Sequence, residues 1–193
     1  MNAKEQILEA ADQLFGESGF ENTTTRQIAE KSGVNKMLIN YHFKSKDGLL
    51  ETIIDRHYER LAAMLRREMD MNLTPQERIP SIINGYFDFL VENLSFSRII
   101  QREVAGGRHQ DIVRKHIEPL FNIGAEIMEP DINDEDLSAS QLIISFFGMI
   151  ITYFTYSSVL DPLMGDDPLS PENLDKRKKH IMKMFEIVKD SMV

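Results

Sequence analysis

Cysteine is absent from the 193-residue chain. That excludes a disulfide scaffold, a thiolate metal site and a cysteine nucleophile. The sequence also lacks a P-loop, a His-Glu-x-x-His pair and a Gly-x-Ser-x-Gly elbow, and nothing along it pairs a nucleophile with a base. An enzyme is therefore not expected. No segment shows sustained strand alternation between hairpin turns, and there is no linker, repeat or low-complexity run. The start, Met1-Asn2-Ala3-Lys4-Glu5, has no apolar core behind a basic end; no secretory signal is expected, and the cytoplasm is the expected compartment. His109 and His116, seven apart, have no further ligands at metal-binding spacing, so neither a metal nor a cofactor is expected. Positive charge is scarce too. Lys and Arg total 22 against 31 Asp and Glu, a net charge of −9, and as a sum this disfavours a nucleic-acid partner.

The sum hides an asymmetry. Residues 1–21 carry one lysine against five acids. Residues 22–46 carry Arg26, Lys31, Lys36, Lys44 and Lys46 against Glu30 alone, a local charge of +4. The remaining 147 residues are acidic again. With 42% hydrophobic and 27% charged residues, the chain is globular and long enough for one or two small domains. A short basic island sits in an acidic protein.

The apolar residues recur at helical spacing. Ile7, Leu8, Ala11, Leu14 and Phe15 form one stripe, ended by Gly16 and Gly19. Thr24 and Gln27 form a capping box that starts a second helix near Thr25, and Ser32-Gly33 interrupts it. Asn35 caps a third, Lys36 to about Phe43, and Ser45 a fourth that keeps an apolar face as far as Leu65. Further helices start at Thr74-Pro75-Gln76-Glu77, around Phe96, at Ile112 (running to Met128, with a kink expected at Pro119), at Ser138 (running to Leu160) and at Ser170-Pro171-Glu172. The expected fold is all-α, with nine helices.

The second and third helices have the offsets of a helix-turn-helix. Ala29 is small where the helices cross, Gly33 sits at the turn, and Val34 and Ile39 pin the third helix to the core. Lys36, Met37, Asn40 and Tyr41 are left near the outer face, where such a helix meets base edges in the major groove. Asn can bond an adenine edge, and Lys suits guanine or phosphate. Thr24, Thr25, Tyr41 and Lys46 are placed to bond phosphates. The alternative is a tight helical hairpin with a solvated basic face, in an all-helical protein–protein or membrane-surface module that binds no DNA.

The stretch Thr24-Thr25-Arg26-Gln27-Ile28-Ala29-Glu30-Lys31-Ser32-Gly33-Val34-Asn35-Lys36, followed by Tyr41-His42-Phe43-Lys44-Ser45-Lys46-Asp47-Gly48-Leu49-Leu50, resembles the DNA-binding domain of TetR/AcrR-type transcriptional regulators. The resemblance implies a helix-turn-helix head over residues 1–48 and a helical ligand-binding and dimerisation body over 49–193. It adds Arg26, Asn35 and His42 to the candidate DNA contacts. It also implies a homodimeric regulator, usually a repressor, that binds a palindromic double-stranded DNA operator and is released by a small-molecule effector. Three positions depart from the family pattern: Asn35 replaces the usual Ser or Thr, Met37 the frequent Gly, and Asn40 the usual aromatic. Base preference therefore does not carry over from relatives.

From Leu137 to Leu160 there is no charged residue. The length suits a membrane span, but ten hydroxyl or amide side chains dilute it, and no membrane association is expected. A helix buried on nearly all sides fits better, with a second chain covering it. Phe147, Ile151 and Phe154 on this helix, with Ile181, Met184, Phe185 and Val188 on the last, are the expected dimer interface. A dimer would set two recognition helices roughly 34–36 Å apart. The resemblance places an effector pocket among the middle helices, with Tyr86, Phe89, Phe96, Arg102, His116, Phe121, Asn122 and Tyr153 as candidate lining. A buried Arg102 would need an anionic partner.

Overall fold

The computed structural model describes residues 2–128 and 138–192. These residues form ten α-helices and no strand: α1 (Ala3–Ser18), α2 (Thr25–Ser32), α3 (Lys36–Phe43), α4 (Lys46–Asp70), α5 (Pro75–Glu92), α6 (Leu94–Gly106), α7 (Gln110–Met128), α8 (Ala139–Thr155), α9 (Ser157–Met164) and α10 (Pro171–Met192). Leu137, the first residue of the charge-free stretch, lies outside the described residues. The kink site Pro119 falls inside α7, which continues through it as one helix.

The expected nine helices become ten because the stretch from Ser138 to Leu160 does not run straight. α8 stops at Thr155, and α9 leaves at 85° to it. Tyr156 sits off helical geometry at φ −100°, ψ 11°. The Ser157 hydroxyl donates to the Phe154 carbonyl at 3.0 Å, occupying the acceptor that a continuing helix would offer to the N–H of Ser158. No single helix among the described residues is long and apolar enough to cross a membrane, and α8 and α9 reach that length and composition only when joined across the bend.

The chain divides into two compact units. The first comprises Met1–Arg60 and Asn93–His116, so it contains the expected head together with α6 and the start of α7. Its core holds Ile7, Ala11, Phe15, Ile28, Ile39, Leu49, Leu50, Ile54 and Ile99, none more than 2% exposed. Each of these but Ala11 contributes about 1.5–3 kcal/mol by leaving water. α1 crosses α6 so closely at Gly16 that a Cβ there would stand 2.8 Å from the Ser95 Cβ. Gly16→Ala should therefore destabilise this unit by about 1–3 kcal/mol through overpacking. A thermal melt unchanged from the parent protein would contradict that.

The second unit comprises Leu61–Glu92 and Ile117–Val193. α5, α8 and α10 build its core, with Phe87 against Phe154 and Phe146 against Phe185 at ring-centroid distances of 5.2 and 5.7 Å. This revises the expected dimer face. Phe154, Ile181 and Phe185 are buried inside their own chain at 1%, 0% and 3% exposure, so they have almost no surface to offer a partner. Phe147, Ile151, Met184 and Val188 are partly exposed. The outward apolar surface is instead carried by Ile144, Tyr156, Val159, Leu163 and Ile187. Helical spacing alone could not tell the face of α8 and α10 that meets α5 from the opposite one.

Candidate nucleic-acid interface

Local chemistry builds the helix-turn-helix. Thr24 and Gln27 form the capping box: the Thr24 N–H donates to Gln27 Oε1 at 2.8 Å, and the Gln27 N–H to the Thr24 hydroxyl at 3.2 Å. Gly33 closes α2 at φ 68°, the left-handed region that glycine enters at no steric cost. The Val34 N–H then returns to the Ala29 carbonyl at 3.2 Å. The Asn35 side chain accepts from the Met37 N–H at 2.9 Å, so Asn fills the capping role usually held by Ser or Thr.

α3 is anchored on one side and open on the other. Ile39 and Phe43 are buried. Lys36, Met37, Asn40 and Tyr41 are exposed, Met37 to 76% and Tyr41 to 72%. Exposed apolar and aromatic side chains on one short helix are what a groove-reading surface presents. His42 is half-buried between Tyr41 and Phe43, its ring 5.0 and 6.0 Å from theirs.

The end of α3 is tightly held. Lys44 adopts φ 68°, ψ −46°, and the Ser45 N–H reaches the Phe43 carbonyl at 2.8 Å, closing a γ-turn. Lys44 is the one non-glycine residue at positive φ among the described residues, and such strain collects at functional turns. α4 begins immediately afterwards. A Cβ on Gly48 would lie 2.4 Å from the Phe43 carbonyl oxygen.

The basic island is not all free for phosphates. Arg26 pairs with Glu30 one turn on at 2.8 Å. Lys46 departs most from its expected role. Its ammonium donates to the Phe20 and Thr23 carbonyls at 2.7 and 2.9 Å and lies 4.1 Å over the Phe20 ring. It ties α4 to the α1–α2 connection instead of facing solvent. Lys36 and Lys44 are exposed and form no ion pair among the described residues. Thr24 is exposed and Thr25 half-buried at the start of α2.

The expected pocket residues are divided between the two units. In the first, Phe96 packs near the rings of His57 and Tyr58, each at 5.2 Å. His116 stacks on Tyr58 at 4.8 Å and bonds Asp55 at 2.6 Å. Burial pushes the Tyr58 phenol well above its ordinary value. Arg102 pairs with no carboxylate among the described residues. Its guanidinium donates to the carbonyls of Phe15, Gly16 and Glu17 at 3.0, 3.1 and 3.2 Å. It thus caps the C-terminal end of α1, where unpaired carbonyls carry partial negative charge. In the second unit, Tyr86 and Phe121 pack on Phe147 at 5.6 and 5.2 Å. Phe89 is buried, Asn122 is exposed, and the Tyr153 hydroxyl donates to the Pro168 carbonyl at 2.5 Å. A cavity of about 120 Å³ in the first unit, lined by Leu8, Glu9, Asp12, Ile53, Arg56, His57 and Arg60, involves none of these candidates. His109 and His116 are each committed to carboxylates of their own.

A capped helix-turn-helix heads an all-helical chain, and that head matches a known family. Residues 7–53 match the family described as bacterial regulatory proteins, tetR family. The chain is 32% identical over 107 residues to the probable HTH-type transcriptional regulator YttP of Bacillus subtilis, covering 54% of this chain and 51% of that one. The chain spans about half the length of the curated relatives it matches. The ketosteroid transcriptional regulator KstR2 of Mycobacterium tuberculosis superposes with TM-score 0.74 at 18% identity, over 100% of this chain and 95% of that one. FadR of Bacillus subtilis, solved in complex with stearoyl-CoA, superposes with TM-score 0.69 at 19% identity, over 92% and 96%. Residues 7–53 thus resemble the head of that family, and the chain as a whole has the fold of these solved transcriptional regulators.

Proposed function

We propose that the chain is a ligand-responsive transcriptional repressor that binds a palindromic operator as a homodimer. The observation that carries this reading is α3: two buried anchors hold it while Lys36, Met37, Asn40 and Tyr41 stand exposed on its other side. The outward apolar residues of α8, α9 and α10 are the surface a second copy would cover, and two copies would double the basic island. The acidic remainder would then suppress adhesion to non-specific DNA and favour the correctly spaced pair of half-sites. An effector acts only by binding the DNA-incompetent state better than the competent one. Its effect would travel along α4, which begins in the first unit and ends in the second.

A fluorescence-anisotropy titration against duplexes from the region flanking the chain's own gene tests the reading. Affinity should fall linearly with salt on logarithmic axes as phosphate contacts release counterions. Sedimentation at micromolar concentration should give the mass of two chains. The absence of any salt-dependent binding would remove the regulator reading, and a one-chain mass would remove the dimer.

A further inference from the structure

A charge cluster in the first unit, outside the expected DNA contacts, centres on a buried histidine and a buried glutamate. His109, 8% exposed, lies between two carboxylates. Its Nδ1 is 2.5 Å from Glu103 Oε2, at the end of α6, and its Nε2 is 3.2 Å from Asp47 Oδ1, in the first turn of α4. Glu103 is itself 7% exposed. Arg108 bridges Asp47 and Glu21 at 3.1 and 2.6 Å. The edge of the Phe20 ring meets the imidazole at 5.0 Å, and that ring also carries the Lys46 ammonium. Glu103, Asp47, Arg108, Glu21 and Lys46 are thus the charged groups around His109, drawn from α6, α4 and the connections between helices.

The donor count decides what this arrangement does. A carboxylate only accepts, and a neutral imidazole has one N–H. Both bonds can form only when the ring is doubly protonated. On losing a proton, the ring must turn a bare nitrogen towards one carboxylate. The 2.5 Å contact to buried Glu103 is the stronger and keeps its proton, so the bond to Asp47 is the one that fails. Asp47 immediately precedes Gly48, whose backbone lies against the Phe43 carbonyl at the end of the recognition helix. Consistently, the Asp47 carboxyl is held below its ordinary range, first by the hydrogen bond from His109 and then by the Arg108 charge.

We propose that His109 is a proton-gated latch: as imidazolium it joins the end of α6 to the first turn of α4 and holds the recognition helix in its DNA-binding pose, and on deprotonation it releases that turn. The DNA consequence rests on the function proposed above.

The test uses the full chain, with duplex from its own flanking region as probe, titrated from about pH 6 to about pH 8.5 at fixed ionic strength. Affinity should fall about tenfold towards high pH, the scale of one charge-assisted hydrogen bond. His109→Gln should remove the slope. The milder Asp47→Asn should flatten it as well, because an amide can accept from the charged ring or donate to the neutral one. His42→Gln, which alters the histidine of the recognition helix, should keep the slope. Nitrogen-15 NMR of the His109 ring needs no DNA. It should show two ring N–H groups at low pH and one at high pH, and the backbone amides of Phe43 and Ser45 should shift with the same midpoint. A slope that His42→Gln removes and Asp47→Asn keeps would overturn the latch, and so would a ring that holds one protonation state throughout. If no DNA binds at any pH while the ring and amide midpoints coincide and move in Asp47→Asn, the DNA-binding reading fails and the latch stands.

Discussion

Gly48→Ala should cost the head about 3 kcal/mol and lower the melting temperature by about 6–12 °C. On helix propensity alone the substitution would stabilise, since alanine is favoured over glycine by about 1 kcal/mol in a helix. The opposite sign is expected because the new Cβ would sit 2.4 Å from the Phe43 carbonyl oxygen. That atom is backbone, and it belongs to a γ-turn that already holds Lys44 at φ 68°. It cannot give way without moving the last turn of α3, so operator affinity should drop along with stability. Gly33→Ala is the contrast. A Cβ there meets nothing within 4 Å, and its cost of about 1–2 kcal/mol comes from the positive φ alone. A Gly48→Ala protein more stable than its parent would show that α3 and α4 do not approach as closely as described.

The head was legible in the sequence because its determinants are local. The capping box joins residues three apart, Asn35 caps two residues on, and Gly33 acts on its own turn. What escaped the sequence is set by distant partners. The sequence suggests a ligand contact at Arg102, which caps α1 from 85 to 87 residues away. It suggests a phosphate contact at Lys46, which binds carbonyls 23 and 26 residues earlier. His109 has His116 seven residues on, yet its bond to Asp47 spans 62 residues. For the expected dimer face, helical spacing marks α8 and α10 as apolar, but which stripe turns inward depends on where α5 packs. The break between α8 and α9 had a local sign, the run Thr155-Tyr156-Ser157-Ser158 of hydroxyl side chains, and charge-free length outweighed it.

Lys46 and Tyr41 now separate fold from function within one short segment. Tyr41→Ala removes a ring that is 72% exposed, so stability should change by less than about 0.5 kcal/mol. Operator affinity should fall about tenfold or more, the scale of a lost direct contact in the groove. Lys46→Ala should do the reverse. It strips two charge-assisted hydrogen bonds from the Phe20 and Thr23 carbonyls and a cation from the Phe20 ring, a loss of about 2–3 kcal/mol in stability. Operator affinity per folded molecule should then change little in its salt dependence, because the ammonium points into the protein. Paired melts and salt-dependent titrations read both effects. If Lys46→Ala instead left the melt unchanged and reduced the salt slope by about one, Lys46 would be a phosphate contact. The +4 island would then act through all of its lysines, and not chiefly through Lys36 and Lys44.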